Sequence, residues 1–236
     1  MMASRIKLHK SEGLTGRHDL VRYLAGAILE INADHPVRVG IDGADASGKT
    51  HLANDLAVEL GKRGRQIIRA SIDGFHNPRG IRYRKGRDSP EGYYLDSFDN
   101  QAIIDNLLAP LGPNGNRLIR TVIFDFRTDS EVDAVAIRAT NNSILVMEGV
   151  FLFRPELASQ WDLKVFLDVD FSTSLSRALK RDIYYLGSEE GIRQMYEKRY
   201  IPGQKLYFAA CNPKEQADIL VDNNDFDNPK ITRCSV

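Results

Sequence analysis

The spacing of apolar residues along the chain predicts alternating strands and helices. Short runs dominated by apolar residues, such as VRVGI at 37–41, have the length and β-branched content of buried strands. Leu20, Leu24, Ile28 and Ile31 recur on one face of an amphipathic helix. The predicted strands are 37–41, 66–73, 117–126, 143–149, 163–169 and 217–223, the last of these being the final strand of the chain.

Helices are predicted between most of these strands. The predicted helices are 16–31, about 48–60, 98–111, 154–161, 172–186 and 188–210. Residues 74–97 carry Gly, Pro, Arg and Tyr without a clear period, which indicates a functional loop. Strands that alternate with helices predict an α/β fold, a three-layer αβα sandwich with a mostly parallel central sheet. We expect residues 1–36 to form a helical extension packed on a single domain over 37–236.

Composition and charge narrow the class of protein. The 236 residues are 42% hydrophobic and 27% charged, enough for one buried core. Lys plus Arg and Asp plus Glu each number 32, and this balance argues against nucleic acid or a membrane surface as a partner. The two cysteines show no disulfide or metal-ligand spacing, and the N-terminus lacks the apolar core of a signal peptide, so we expect a cytoplasmic protein. The oligomeric state, including a homo-oligomer, stays open.

Residues 43–50 read GADASGKT and match the phosphate-binding pattern GxxxxGK[ST] in full. The glycines let successive N–H groups turn toward phosphate oxygens, and the following helix presents its positive end to the same anion. Lys49 is expected to reach the β- and γ-phosphates of ATP, and the Thr50 hydroxyl to bind Mg²⁺. Because a strand precedes the motif and a helix follows it, a P-loop NTPase fold is favoured over a chance glycine-rich turn. The residues predicted to bind the nucleotide here are Gly43, Ala44, Asp45, Ala46, Ser47, Gly48, Lys49 and Thr50.

Two acids come at the ends of predicted strands. Asp73 ends the second strand, where a carboxylate could accept the proton of an attacking hydroxyl or hold Mg²⁺; an Asp-Gly turn explains its position equally well. Glu148 closes SILVMEG, as expected of an acid that organises Mg²⁺ beside a phosphate loop, and a solvated strand end is the less favoured explanation.

Arg177 and Arg181 are four residues apart in a predicted helix and therefore share a face. Cations on a helix over the γ-phosphate could neutralise the charge that moves during phosphoryl transfer. The other explanation is a surface ion-pair face, with Asp170 and Asp182 as partners.

An ordered set of motifs resembles the uridine kinase and phosphoribulokinase family of P-loop kinases over about 37–223. The set consists of GADASGKT, SIDGFH, DSFDNQAI, FDFRTDS, ILVMEGVFLF, LKVFLDVD, LSRALKRD and ADILVDN. The resemblance implies that Asp73 is the base for the acceptor hydroxyl and that Lys49, Thr50 and Glu148 serve phosphate and Mg²⁺. It also implies that Arg181 faces the phosphates from a helical lid at about 177–200, and that the loop 212–218 with Pro213 closes over the adenine.

The departures from this family concern the acceptor. Tyr93 stands where the nucleoside kinases have an aspartate that holds the ribose, and Asp129 stands where a histidine helps to read the pyrimidine. The lid has Leu186 and Ser188 in place of arginines, while the loop 79–87 gains cations that could compensate for them or bind an anionic acceptor. That basic loop is equally well explained as a solvated surface. The residues expected to contact the acceptor are Asp73, His76, Arg84, Tyr93, Tyr94, Phe124 and Asp129.

The sequence therefore favours an ATP- and Mg²⁺-dependent kinase of a small-molecule hydroxyl, with a nucleoside such as uridine or cytidine as the acceptor. The catalytic residues are expected to be Asp73, Lys49, Arg177 and Arg181. A kinase of another acceptor (a sugar, a sugar phosphate, pantothenate or a nicotinamide riboside-like molecule) keeps the same machinery. A regulatory nucleotide-binding protein is the third reading, although a guanine-reading NKxD motif is absent.

Overall fold

A computed structural model describes residues 16–183 and 188–235 of the chain. Part of the expected N-terminal extension (1–15) and part of the expected lid, including Leu186, lie outside the described residues. Among the described residues, no helix has both the length and the apolar composition to cross a lipid bilayer.

A six-stranded sheet forms the centre of the fold. Five strands are parallel, and the edge strand β10 runs antiparallel to β9, giving the order β10-β9-β8-β1-β7-β2. Its strands are β1 (Val37–Gly43), β2 (Ile67–Ser71), β7 (Ile144–Glu148), β8 (Leu163–Asp168), β9 (Ile219–Asp222) and β10 (Lys230–Cys234). Four two-residue strands form two small antiparallel pairs: β3 (Leu118–Ile119) with β6 (Ile137–Arg138), and β4 (Phe124–Asp125) with β5 (Ser130–Glu131).

Helices flank the sheet on both faces. They are α1 (Arg17–Leu29), α2 (Lys49–Gly61), α3 (Arg79–Arg82), α4 (Pro90–Asp96), α5 (Asn100–Ile103), α6 (Ala109–Leu111), α7 (Pro155–Ala158), α8 (Phe171–Arg181), α9 (Glu189–Met195), α10 (Ile201–Cys211) and α11 (Pro213–Gln216). A 3-10 turn covers Ile72–Phe75, and π-helical turns at Ile104–Leu108 and Tyr196–Tyr200 join α5 to α6 and α9 to α10.

Two apolar cores lie on opposite faces of the sheet, as the two-residue period of strand side chains requires. In β7, Ile144 and Val146 pack in the core beneath α1 and α2, whereas Leu145 and Met147 pack in the core beneath α4, α5 and α10. Strand β1 is buried along its whole length and lies between β8 and β7. The phosphate loop that follows it is therefore near the middle of the sheet.

The structure differs from the sequence-based prediction in three segments. The loop predicted at 74–97 contains α3 and α4; α4 begins because Ser89 caps it, accepting a hydrogen bond from the Gly92 N–H (3.0 Å), with Pro90 at its first position. Residues 217–223 are not the last strand, since β10 follows. The strand-like segment 117–126 contributes only β3 and β4, outside the main sheet.

Candidate active site

The phosphate loop closes tightly after β1. Gly48 has φ +96°, and a Cβ there would lie 2.9 Å from Asn223 Nδ2, so both conformation and space require glycine. Lys49 is buried, and its Nζ donates to the backbone oxygens of Gly43 (3.0 Å) and Ala44 (2.6 Å). The lysine therefore folds back over its own loop, ready to exchange carbonyl partners for phosphate oxygens.

A cavity of about 510 Å³ opens at this loop. Its volume falls in the range of small-molecule sites. The lining residues are Ala46, Gly48, Lys49, Thr50, His51, Arg177, Arg181 and Phe226. The structure thus brings the phosphate-loop residues together with both predicted lid arginines.

Asp45 ties the phosphate loop to three neighbouring helices. Its Oδ2 accepts from the Tyr93 hydroxyl of α4 (2.6 Å) and from Gln204 Nε2 of α10 (2.9 Å). Its N–H donates to Gln204 Oε1 (3.0 Å), and its backbone oxygen accepts from Ser174 Oγ of α8 (2.5 Å). The carboxylate predicted to bind nucleotide is therefore engaged with protein groups.

Asp73 lies in the 3-10 turn directly after β2, at the carboxyl edge of the sheet. Asp73 is exposed to solvent at this edge. Desolvation by the surrounding protein raises the pKa of Asp73, as does the charge of Asp45, whereas the charges of Lys49, Arg181 and Arg127 lower it. Asp73 is thus within electrostatic reach of both the phosphate lysine and a lid arginine.

His76 stands beside Asp73 between two aromatic rings. Its Nδ1 lies 3.0 Å from the Asp73 backbone oxygen, and its ring centroid lies 4.5 Å from Phe98 and 4.7 Å from Phe126. Burial lowers the pKa of His76 to about 4, so the imidazole is neutral at physiological pH. A neutral ring of this kind suits stacking or hydrogen bonding with an uncharged part of an acceptor.

Glu148 is buried at the end of β7, paired in register with Ile41 of β1 and Ser71 of β2. It therefore lies between the strands that lead to the phosphate loop and to Asp73. Burial lowers the pKa of Arg69, and the charge of Glu148 raises it, so these two side chains interact electrostatically.

The oxygen donors at this edge fit Mg²⁺. Across residues 16–183 and 188–235, no group of three or more His, Cys, Asp or Glu side chains could hold a metal ion by itself. Mg²⁺ beside a phosphate loop takes only one or two carboxylates, with the hydroxyl, phosphates and waters completing its shell. Thr50, Glu148 and Asp73 supply that kind of donor set.

The two predicted lid arginines have different partners. Arg177 Nη2 donates to the backbone oxygens of Asn223 (2.8 Å) and Asn224 (3.0 Å), which fixes the loop after β9 to α8. Arg181 pairs with its neighbour Asp182 through Nε (2.6 Å) and Nη2 (2.9 Å). The ion pair anticipated for Arg181 is present, and the same residue lines the cavity.

Two of the predicted acceptor residues, Asp129 and Arg84, are engaged with other protein groups. Asp129 accepts from the Arg79 N–H (2.8 Å) and from Arg82 Nη2 (3.1 Å), and Arg84 pairs with buried Asp96. These contacts fasten the basic loop 79–87 to neighbouring segments and leave fewer cations for a ligand.

The aromatic acceptor candidates are mainly packed against protein. Tyr93 and Phe124 are buried, and the Tyr94 hydroxyl lies 3.2 Å from Cys211 Sγ. Tyr93 directs its hydroxyl at Asp45 rather than into open space. Its expected contact with the acceptor stays a prediction, as does that of Tyr94 and Phe124.

Pro213 lies apart from the phosphate-loop cavity. It begins α11 and lines a second cavity, of about 240 Å³, with Phe208, Asn212, Lys214 and Glu215. The loop that reaches the phosphate loop is instead NNDFDN (223–228): Asn223 Nδ2 donates to the Ser47 backbone oxygen (2.6 Å), and Phe226 lines the larger cavity. Phe226 was not predicted from the sequence. It is the single aromatic residue in a polar loop that follows a predicted strand, and this pattern could have indicated it.

The chain is similar to known proteins over most of its length. Residues 38–225 match the model of the Phosphoribulokinase / Uridine kinase family. Uridine-cytidine kinase B of Dictyostelium discoideum is 29% identical over 192 residues, 80% of this chain and 76% of that protein. A uridine kinase of Geobacillus sp. is 26% identical over 191 residues, 79% of this chain and 85% of that protein.

The fold agrees with a solved structure as well. The structure of a "possible uridine kinase" from Bacillus stearothermophilus superposes with a TM-score of 0.67 at 24% identity, covering 86% of this chain and 97% of that one. The predicted three-layer P-loop fold is therefore confirmed. The chain belongs to the phosphoribulokinase / uridine kinase family and is a P-loop phosphotransferase that acts on a hydroxyl group of a small molecule.

Proposed function

We propose that the protein transfers the γ-phosphate of ATP, with Mg²⁺, to the 5′-hydroxyl of a nucleoside, uridine or cytidine. The observation that carries the proposal is the position of Asp73. It is an exposed carboxylate at the carboxyl edge of the sheet, within electrostatic reach of Lys49 and Arg181. A base beside a phosphate loop is the arrangement that transfer to an alcohol needs.

In this mechanism the phosphate-loop amides and Lys49 hold the β- and γ-phosphates, and Asp73 accepts the proton of the attacking hydroxyl. Arg181 and Arg177, which share α8 and line the cavity, offset the charge that moves onto the leaving oxygen. Mg²⁺, held through Thr50 and Glu148, would supply further charge neutralisation between the phosphates. Positioning and electrostatics account for most of the acceleration in this reaction class.

The raised pKa of Asp73 supports its role as a base. A carboxylate whose pKa lies above the ordinary aspartate value is a better proton acceptor. We expect the acidic limb of the kcat/KM profile to lie at higher pH than an ordinary aspartate would give.

Two interactions favour a second class of acceptor, one that already carries a phosphate or a carboxylate. Tyr93, which stands where the nucleoside kinases have an aspartate, donates its hydroxyl hydrogen bond to Asp45, and Arg127 acts electrostatically on Asp73. A cation beside the base suits an acceptor that already carries a phosphate or carboxylate. The same transfer chemistry applies to such a molecule.

The test is a screen of nucleosides, sugars, sugar phosphates and hydroxy acids for acceptor-dependent release of ADP. With the responding acceptor, Asp73→Asn should lower kcat by about 10²–10⁴-fold while the Kd for ATP stays within about threefold, a change of under roughly 1 kcal/mol. Asp88→Asn, which alters an exposed carboxylate between α3 and α4, is the control and should change kcat less than about twofold, well under 1 kcal/mol. Unchanged transfer in Asp73→Asn would remove this residue as the base, and failure of every acceptor would favour a regulatory nucleotide-binding protein.

A further inference from the structure

The cavity at the phosphate loop has an aromatic wall that the proposed mechanism does not use. Phe226, half-buried in the loop after β9, lines this cavity together with His51 and Thr50. Its ring meets His51 edge-on at 5.4 Å between centroids. A Cβ on Gly48 would lie 3.3 Å from the Phe226 ring, so the ring lies directly against the phosphate loop.

Helix α1 holds this ring in place. The guanidinium of Arg17, the first residue of α1, lies over the Phe226 ring at 4.4 Å from its centroid. The Arg17 N–H donates to the Asp227 backbone oxygen (3.1 Å), and its Nε donates to Asp55 Oδ2 of α2 (2.8 Å). One arginine thus links α1 to α2 and to the loop that carries Phe226.

A second arginine approaches the same ring from α8. The Arg177 guanidinium carbon lies 5.8 Å from the Phe226 centroid, and Arg177 also lines the cavity. Within the described part of the chain, its Nη1 is buried and has no hydrogen-bond partner. A flat aromatic ring flanked by guanidinium groups and one unsatisfied donor is suited to a planar, nitrogen-rich heterocycle.

We propose that Phe226, held by Arg17 of α1, is the wall that binds the purine base of the nucleoside triphosphate donor. This inference rests on the proposed function, because it assumes that the triphosphate of that donor occupies the phosphate loop. Both Arg17 and Phe226 lie outside residues 38–225, the segment that matches the family. Helix α1 is therefore a positioning element of the nucleotide site as well as a packed extension.

The experiment compares two ligands of the full chain by calorimetry: MgATP, which has a base, and inorganic tripolyphosphate, which has none. Phe226→Ala should raise the Kd for MgATP by about tenfold or more (roughly 1.4 kcal/mol) and leave the Kd for tripolyphosphate within about twofold. Phe226→Leu, which keeps apolar volume but removes the ring face, should show the same selective loss even if the alanine variant folds poorly.

Arg17→Ala should raise the Kd for MgATP by about threefold to fivefold, since the ring remains but loses its clamp. Arg22→Ala, on an exposed position of the same helix, is the matched control and should bind both ligands like the unaltered chain. Phe226 variants that bind MgATP with unchanged affinity, or that lose both ligands equally, would overturn the proposal that Phe226 binds the purine base but not the proposed function. An unaltered chain that binds neither ligand would overturn the nucleotide site itself and the proposed function with it.

Discussion

Asp42 is a fully buried carboxylate one residue before the phosphate loop. Its Oδ1 accepts from the Gly43 N–H (2.6 Å), and its Oδ2 accepts from the Phe153 N–H (3.2 Å) and from the Tyr207 hydroxyl. Burial raises the pKa of Asp42 to about 6, and the Tyr207 hydrogen bond works against that rise. Because the folded-state pKa exceeds the unfolded one, this group alone makes the fold less stable as pH increases from about 4 to about 6.

Tyr207→Phe should therefore cost more stability when Asp42 is charged. The lost hydrogen bond to a carboxylate costs about 1.5–3 kcal/mol, against about 0.5–1.5 kcal/mol to the protonated acid. Urea unfolding at pH 7.5 and pH 5 should show the larger loss at pH 7.5. Tyr23→Phe, whose hydroxyl contacts Cys234 Sγ, should lose the same amount at both values. A pH-independent loss in Tyr207→Phe would contradict this account of Asp42.

At the scale of elements, α4 and α10 connect the acceptor side of the site to the phosphate loop. Tyr93 of α4 and Gln204 of α10 meet at the Asp45 carboxylate, and Gly203 packs against Tyr93 so closely that a Cβ would lie 2.8 Å from its ring. Hydrogen bonds and close packing therefore link the two helices to the phosphate loop.

Tyr93→Phe should loosen the phosphate loop, because Asp45 loses one of its two side-chain donors. We expect the Kd for ATP to rise by about threefold to tenfold, equivalent to roughly 0.6–1.4 kcal/mol. Tyr94→Phe, at the next position of the helix, removes a hydroxyl whose hydrogen-bond partner is Cys211 Sγ and should change the Kd less than about twofold. Equal effects of the two substitutions would argue against the coupling.

At the scale of the whole molecule, the candidate site lies at the carboxyl ends of the strands, whereas a stabilising ion pair lies near the amino end of β1. The carboxyl ends carry the phosphate loop, Asp73 and Glu148, as is usual for open parallel sheets. Near the amino end of β1, buried Arg38 is held by Asp162, which accepts from its backbone N–H (2.7 Å), Nε (3.2 Å) and Nη2 (3.1 Å). This pair anchors β1 to the segment before β8.

Asp162→Asn should destabilise the fold by about 2–4 kcal/mol, since it leaves a buried guanidinium without its counter-charge. ATP affinity of the folded protein should stay within about twofold, well under 1 kcal/mol, because the pair lies away from the site. Glu215→Gln removes the exposed partner of Arg233 and should cost at most about 1 kcal/mol. A loss of ATP affinity in Asp162→Asn at unchanged stability would contradict the division between the two ends.

Features with a local cause could be predicted from the sequence. The buried strands, the phosphate loop and the acids at the ends of β2 and β7 follow from apolar periodicity and from a motif whose residues are adjacent in the chain. Helix α4 also has a local cause, the Ser89 cap before Pro90, but seven residues are too few to show a period. The helix was therefore not predicted because it is too short, although the residues that cap it were present in the sequence.

Contacts between distant residues were decided only by the tertiary structure. Tyr93 meets Asp45 across 48 positions, and Arg17 meets Phe226 from opposite ends of the chain. The sequence by itself determined the α/β phosphate-loop fold and the chemistry at the strand ends. The folded chain alone decided which side chains are engaged with protein and which face the cavity, because that depends on how helices pack around the sheet rather than on neighbours in sequence.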